Sequence, residues 1–191
     1  MSNMPASPLA SRLSRTARTA LIIVGGTALM TLAAKIQIPF WPVPMTLHTV
    51  AVMLFAVTLG PRLSLSIFLA YLAAGAAGLP VFSGSPERGI GLAYMAGPTG
   101  GYLAGYLVAT WMVGTLAAGR GIVGRLLAML AGLVPVYALG LAWLAVYVPA
   151  DKLIALGIAP FILGDIVKVA LVAAGCTAVP ATLARLKGPA A

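Results

Sequence analysis

The sequence predicts an all-α membrane protein: a bundle of six transmembrane helices with the N and C termini in the cytoplasm. Two observations carry the membrane assignment. Of 191 residues, 61% are hydrophobic and only 8% charged, whereas a soluble domain averages about a quarter charged. Mean hydropathy is +1.06, so the apolar surface must face lipid as well as a core. A third observation selects helices. Gly (22 residues) and Ala are abundant, and small residues let helix backbones approach closely in a bilayer. The ten-residue alternating segments of a porin-type barrel do not stand out.

The elements follow in chain order. Residues 1–14 (MSNMPASPLASRLS) are Ser/Pro-rich and are expected to form a mobile tail. Residues 15–187 then form a single membrane domain, and 188–191 a C-terminal tail. Helices are expected at 17–36, 46–60, 62–79, 98–118, 122–147 and 160–186. Arg12, Arg15 and Arg18 precede the first apolar run, which is the order of a secretory signal. No clean cleavage signature follows and further spans do, so the run is read as a retained first helix. The second and third helices are separated only by Gly60, Pro61 and Arg62, a tight hairpin.

Orientation comes from the basic residues. With the N-terminus inside, the inner segments hold Arg12, Arg15, Arg18, Arg62, Arg120, Arg125, Arg185 and Lys187, with no acid among them. The outer segments hold Lys35, Arg88 and Lys152, offset by Glu87 and Asp151. This bias of eight to three places both termini in the cytoplasm. It also explains the net charge of +9 without nucleic acid, because the cations are scattered over short connections.

The outer connections are irregular. Residues 37–49 carry Pro39, Pro42 and Pro44, which remove backbone donors and resist helix. Residues 79–102 are long and Gly-rich. Long structured loops on one side of a bundle are usually functional, which points to an outward-facing site.

The motif with most chemistry is "PFILGDIVKVALVAAG", where Asp165 and Lys168 interrupt an apolar run. At i, i+3 they share one helix face. A charge toward the membrane centre costs about 2.5–3.5 kcal/mol on insertion-based scales. Two readings stay open: an ion pair that fixes helix rotation, or the polar end of a ligand pocket. An acceptor and a donor side by side suit a cyclic urea or amide, which offers N–H and C=O together.

In "GPTGGYLAGYLVA", Gly97, Gly101, Gly105 and Ala109 recur every four residues, so a helix or a ligand can approach the backbone there. Pro98 suits a first helical turn. The amides of Thr99, Gly100 and Gly101 then lie at a positive helix end. Tyr102, one turn in, either stacks on a ligand ring or belongs to the interfacial aromatic belt. Phe40, Trp41, Phe82 and Tyr94 are read the same two ways, as anchors or as a ligand lid. His48, the only histidine, caps or lines the second helix.

Several function classes are excluded. One histidine and one cysteine, Cys176, leave no multi-ligand metal site and no internal disulfide. There is no G-x-x-x-x-G-K-[ST] and no G-x-S-x-G, so neither a phosphate-cradling loop nor a nucleophile elbow is present. The chain reads as a binding subunit without an ATPase motif, not an enzyme, and no cofactor is expected. A small membrane enzyme or assembly subunit is the alternative from another class.

The stretches "IPFWPVPMTLHTVAV", "LGPRLSLSIFLAYLAAGAAGLPVFSG", "GPTGGYLAGY" and "PFILGDIVKVAL" resemble the BioY family, the biotin-specific S components of energy-coupling factor (ECF) transporters. The resemblance spans nearly the whole membrane portion in family order. It implies high-affinity biotin capture in the bacterial cytoplasmic membrane, with biotin as cargo rather than cofactor. It also implies partners: a transmembrane coupling (T) subunit and a pair of ATPase (A) subunits, with a homo-oligomer as another possible assembly. A different vitamin is the alternative cargo.

The family's Asp-x-x-Lys falls on Asp165 and Lys168, and its G-P-T/S-G-G-Y element on residues 97–102. By this resemblance Asp165 accepts from a ureido N–H, and Lys168 donates to the ureido oxygen or the tail carboxylate. Tyr102 packs on the ring, and Arg88 or nearby amides hold the carboxylate. Gly100, Gly101, Tyr94 and His48 complete the expected ligand-binding set. The chain departs from the family pattern in three places. His48 stands where T-L-Q-T is frequent, "SPERGIG" replaces a Gly/Asn-rich loop, and Ala20, Val24 and Ala28 replace the first-helix Ala-x-x-x-Ala docking motif.

Overall fold

A computed structural model describes residues 8–186, with side chains from 15 to 176. Helix α1 (Pro8–Lys35) begins inside the stretch expected to be a mobile tail; residues 1–7 and 187–191 lie outside the described residues. Arg12, Arg185 and Lys187, three of the cations behind the expected orientation, have side chains outside the described set. A Pro-rich loop then carries two short strands, β1 (Gln37–Ile38) and β2 (Met45–Thr46). They pair antiparallel with Gln37 opposite Thr46. The all-α expectation missed this ladder. The prolines between the strands strip donors from the middle of the loop but leave its ends free to pair.

Helix α2 (His48–Ala76) contains a break at Gly60, whose φ of 78° and ψ of 174° are not helical. A straight helix would hold His48 and Tyr71 roughly 35 Å apart, yet their ring centroids are 5.1 Å apart. The chain therefore reverses at Gly60 into two limbs, 48–59 and 61–76. These limbs stand where the sequence placed two separate helices. A positive φ suits glycine alone without strain, and Pro61 starts the second limb where a missing N–H costs nothing.

Five elements follow: α3 (Gly91–Met95), α4 (Gly100–Leu116), α5 (Ile122–Leu144), then a 3-10 turn (Ala150–Lys152) leading into α6 (Leu153–Gly157). Helix α7 (Ile162–Leu186) ends the described chain. Among the described residues, four stretches are long and apolar enough to cross a membrane by length and composition: Arg15–Lys35, His48–Ala76, Ile122–Leu144 and Ala150–Cys176. Helix α4 is central, packed on α5 along one side and on α2 along another.

The Gly/Ala line of α4 supplies the closest of these contacts. A Cβ on Gly105 would lie 2.5 Å from Val136 Cα of α5, and Ala109 is fully buried. Of the two partners the sequence allowed for this line, a helix or a ligand, α5 occupies it. Two apolar clusters result. One joins the first limb of α2 to α4, α5 and α7, and the other joins α1 to the second limb of α2 and to Phe82 and Tyr94. Between the clusters, at the end where the Pro-rich loop closes over the bundle, lies the polar site.

Adding a methyl at Gly105 drives it into the α5 backbone, and overpacking of this kind costs about 1–3 kcal/mol. Gly105→Ala is expected to lower the thermal unfolding midpoint in detergent. Gly25→Ala, with nothing within 4 Å of the new Cβ, is expected to leave it unchanged or raise it. Equal midpoints for the two variants would contradict this packing.

Candidate functional site

Asp165 sits in the first turn of α7, where a negative charge meets the positive end of the helix. Its side chain is buried, and it gathers donors from three elements. Lys168 Nζ donates to Oδ1 at 2.9 Å. Thr49 Oγ1, from the first limb of α2, donates to the same oxygen at 3.0 Å. The Tyr137 hydroxyl, from α5, donates to Oδ2 at 2.8 Å. Lys168 Nζ also donates to the Thr46 carbonyl of β2 at 2.8 Å, tying the loop ladder to α7.

A fourth element enters through Thr49, whose Oγ1 lies 2.6 Å from the Tyr106 hydroxyl of α4. The Thr49 proton points at the carboxylate, so Tyr106 must donate the proton of this second bond. Counting positions then gives the site its character. An ionised carboxylate has about four acceptor positions and an ammonium three protons. Three acceptors and two protons are taken within the protein. Among the described residues, one acceptor position on Oδ2 and one proton on Nζ remain.

These groups form the polar end of a cavity of about 570 Å³ of non-atom space, part of it at an open mouth. Val43, Met45, Tyr102, Val136 and Phe161 supply the apolar walls. Apolar walls with a few convergent polar groups are the usual build of a small-molecule site. Tyr102 donates to the Gly157 carbonyl at 2.8 Å. Gly140 makes room for its ring, since a Cβ there would lie 2.5 Å from the ring carbons. Tyr94 also lines the cavity and stacks on Phe82, with centroids 4.7 Å apart. Burial pushes its phenol above the ordinary value, so it stays a hydroxyl donor.

His48 lines the cavity as well, stacked flat on Tyr106 (5.1 Å, 8°) and edge-on to Tyr71. Its Nε2 is buried without a hydrogen-bond partner among the described residues.

The structure brings five of the expected residues to this cavity: Asp165, Lys168, Tyr102, Tyr94 and His48. The other three stand elsewhere. A Cβ on Gly100 would strike the Met95 carbonyl, and one on Gly101 the Leu139 carbonyl, so both glycines serve helix packing. Arg88 donates to the carbonyls of Pro42 (3.0 Å) and Phe40 (2.8 Å). Its guanidinium lies 5.6 Å over the Trp41 ring. It straps the Pro-rich loop and lines a second, neighbouring cavity.

Sequence reasoning missed Thr49, Tyr106 and Tyr137. Hydroxyls in apolar helices usually bond their own helix, as Thr31, Thr58, Thr110 and Thr115 do here. Thr49 reaches across instead, and residue type alone does not separate the two cases.

The sequence pattern of the BioY family matches residues 4–185. A probable biotin transporter BioY of Pyrococcus horikoshii is 43% identical over 143 residues, 75% of this chain and 84% of that protein. The biotin transporter BioY of Thermotoga maritima is 39% identical over 149 residues, 77% of this chain and 86% of its own length. Among solved structures, the S-component for biotin from an ECF-type ABC transporter superposes with a TM-score of 0.72 at 25% identity. That match covers 100% of this chain and 96% of the other.

Removing one donor leaves a buried carboxylate position unsatisfied, at about 1–3 kcal/mol. Tyr137→Phe and Thr49→Val are therefore each expected to lower the unfolding midpoint in detergent. Asp165→Leu alone strands Lys168, so adding Lys168→Met is expected to recover stability, as replacing both partners of a buried pair often does. A double variant no more stable than Asp165→Leu would show that the pair does not act as a unit.

Proposed function

The chain belongs to the BioY family, and from that premise we propose that it captures biotin at the outer face of the cytoplasmic membrane. In this reading it is the substrate-specific subunit of an ECF-type transporter. The observation that carries the ligand assignment is the pair of open positions on Asp165 and Lys168, at the end of a mostly apolar cavity. A ureido edge presents one N–H beside one C=O and fills both positions at once. The N–H donates to Asp165 Oδ2 and the carbonyl accepts from Lys168 Nζ. The fused ring then packs among Tyr102, Val136 and Phe161, with His48 and Tyr106 behind it. The aliphatic tail runs outward toward Tyr94 and the mouth of the cavity.

The energy for translocation comes from elsewhere in this reading. The sequence has no phosphate-cradling loop, so a transmembrane coupling subunit and a pair of ATPase subunits drive release inward. The chain crosses the membrane six times, each limb of α2 (~18 and ~24 Å by helical rise) counting as one pass, with both termini in the cytoplasm. The Gly60 turn and Arg62 then face inward, and the loop carrying Arg88 faces out. The positive-inside bias supports this orientation.

Two measurements test the reading. Titration calorimetry of the purified chain is expected to give one biotin bound per chain. Asp165→Asn and Lys168→Ala should each weaken binding by about tenfold to a hundredfold, the cost of a lost hydrogen bond to a charged group. Wild-type affinity in both variants would sink the ligand geometry, and displacement of biotin by another vitamin would reassign the cargo. For topology, a Cys176→Ser background with single cysteines is labelled in intact cells by an impermeant maleimide. Glu87→Cys is expected to react from outside, and Arg62→Cys and Arg120→Cys only after permeabilisation.

A further inference from the structure

A second cavity, about 610 Å³ of non-atom space with the open solvent at its mouth included, adjoins the first. Tyr94 and Thr99 line both, so they form the partition between an inner and an outer chamber. The outer chamber is walled by Trp41, Pro42, Gly97 and Pro98 and carries the adjacent pair Glu87 and Arg88. Its frame is held on both sides. Lys35 Nζ donates to the Ser85 carbonyl (2.6 Å) and hydroxyl (3.0 Å), and the Ser83 hydroxyl bonds Gln37 Oε1. Arg88 itself fixes the Phe40–Pro42 segment through two carbonyls.

The charges of this chamber do not match a simple acid. Glu87, the only Glu in the chain, makes no hydrogen bond or ion pair among the described residues. Arg88 uses two of its five donors on the loop and keeps the rest. A lone ligand carboxylate placed here would meet an acid as well as a base. A group bearing an ammonium and a carboxylate together would meet a partner for each.

We infer that the outer chamber is a second ligand subsite, one that takes the α-amino-acid end of a biotin conjugate whose ureido head lies at Asp165 and Lys168. Glu87 receives the ammonium and Arg88 the carboxylate, while the amide-linked chain passes between Tyr94 and Thr99 by displacing the side-chain hydrogen bond that joins them. The ligand class is an amide of the tail carboxyl group with the side-chain amine of an amino acid. The inference rests on the biotin reading of the inner chamber and extends it to the substrate range.

Three ligands decide it: biotin, biotinyl-lysine and a biotin butylamide of similar length without charges. Each competes with radiolabelled biotin on the purified full-length chain. Wild type is expected to bind biotinyl-lysine more tightly than the butylamide. Glu87→Gln is expected to lower affinity for biotinyl-lysine by about fivefold, the upper range for an exposed ion pair. Glu87→Lys should lower it further, and both variants should leave biotin and butylamide binding unchanged. Equal affinity for the two conjugates, or a Glu87→Lys effect on all three ligands alike, would overturn the subsite. Exclusion of both conjugates while biotin binds would also overturn it, leaving the inner-chamber reading intact. Failure of biotin itself to bind would remove both.

Discussion

A single buried carboxylate organises this bundle. Asp165 lies in an apolar helix, where an uncompensated charge costs several kcal/mol, and no one neighbour satisfies it. Its donors come from its own helix, from the first limb of α2 and from α5, with α4 contributing through Tyr106 and Thr49. Each helix that supplies a donor is thereby fixed in rotation and depth. Lys168 extends the same constraint to the loop by holding the Thr46 carbonyl. The charge thus ties together helices that contribute to both apolar clusters.

The same count of donors and acceptors explains how an ion pair is compatible with the proposed ligand site. The two alternatives open in the sequence, a packing device or a binding end, are not exclusive. Lys168 and Asp165 do hold each other, at 2.9 Å, yet each keeps one hydrogen-bonding position that none of the described residues fills. A buried polar position left open is expensive. It persists where an incoming partner completes it, which is the physical sense in which such a site is preorganised.

Much of the fold was legible because its signals are local. Long apolar runs, the Gly60-Pro61 reversal and the four-residue Gly/Ala spacing of α4 each act within a few turns of helix. The Asp165–Lys168 pair was legible for the same reason, as a charge anomaly in one helix. What stayed hidden depends on contacts far apart in sequence. Thr49 meets Asp165 across 116 positions, and nothing near Thr49 distinguishes it from a threonine bonded to its own helix. Gly100 and Gly101 were ambiguous in the opposite way. A small residue admits a ligand or a helix equally well, and only the positions of α3, through Met95 at Gly100, and of α5, through Leu139 at Gly101, decide. Arg88 was visible as a cation in an outer loop, but its bonds to Phe40 and Pro42 require knowing that two loops meet.

The reversal at Gly60 has a consequence for the lipid around it. A hydrocarbon core is about 30 Å thick, and neither limb of α2 is that long (~18 and ~24 Å by rise per residue). In the proposed six-pass topology, lipid beside these limbs would meet a hydrophobic mismatch, which a bilayer relieves by thinning locally. The second limb is flanked by α1, which is longer than either limb of α2. In that topology short and long helices stand side by side, which would tie the tilt of the protein to the thickness of its host membrane and make lipid chain length a variable that acts on the whole molecule rather than on any one residue.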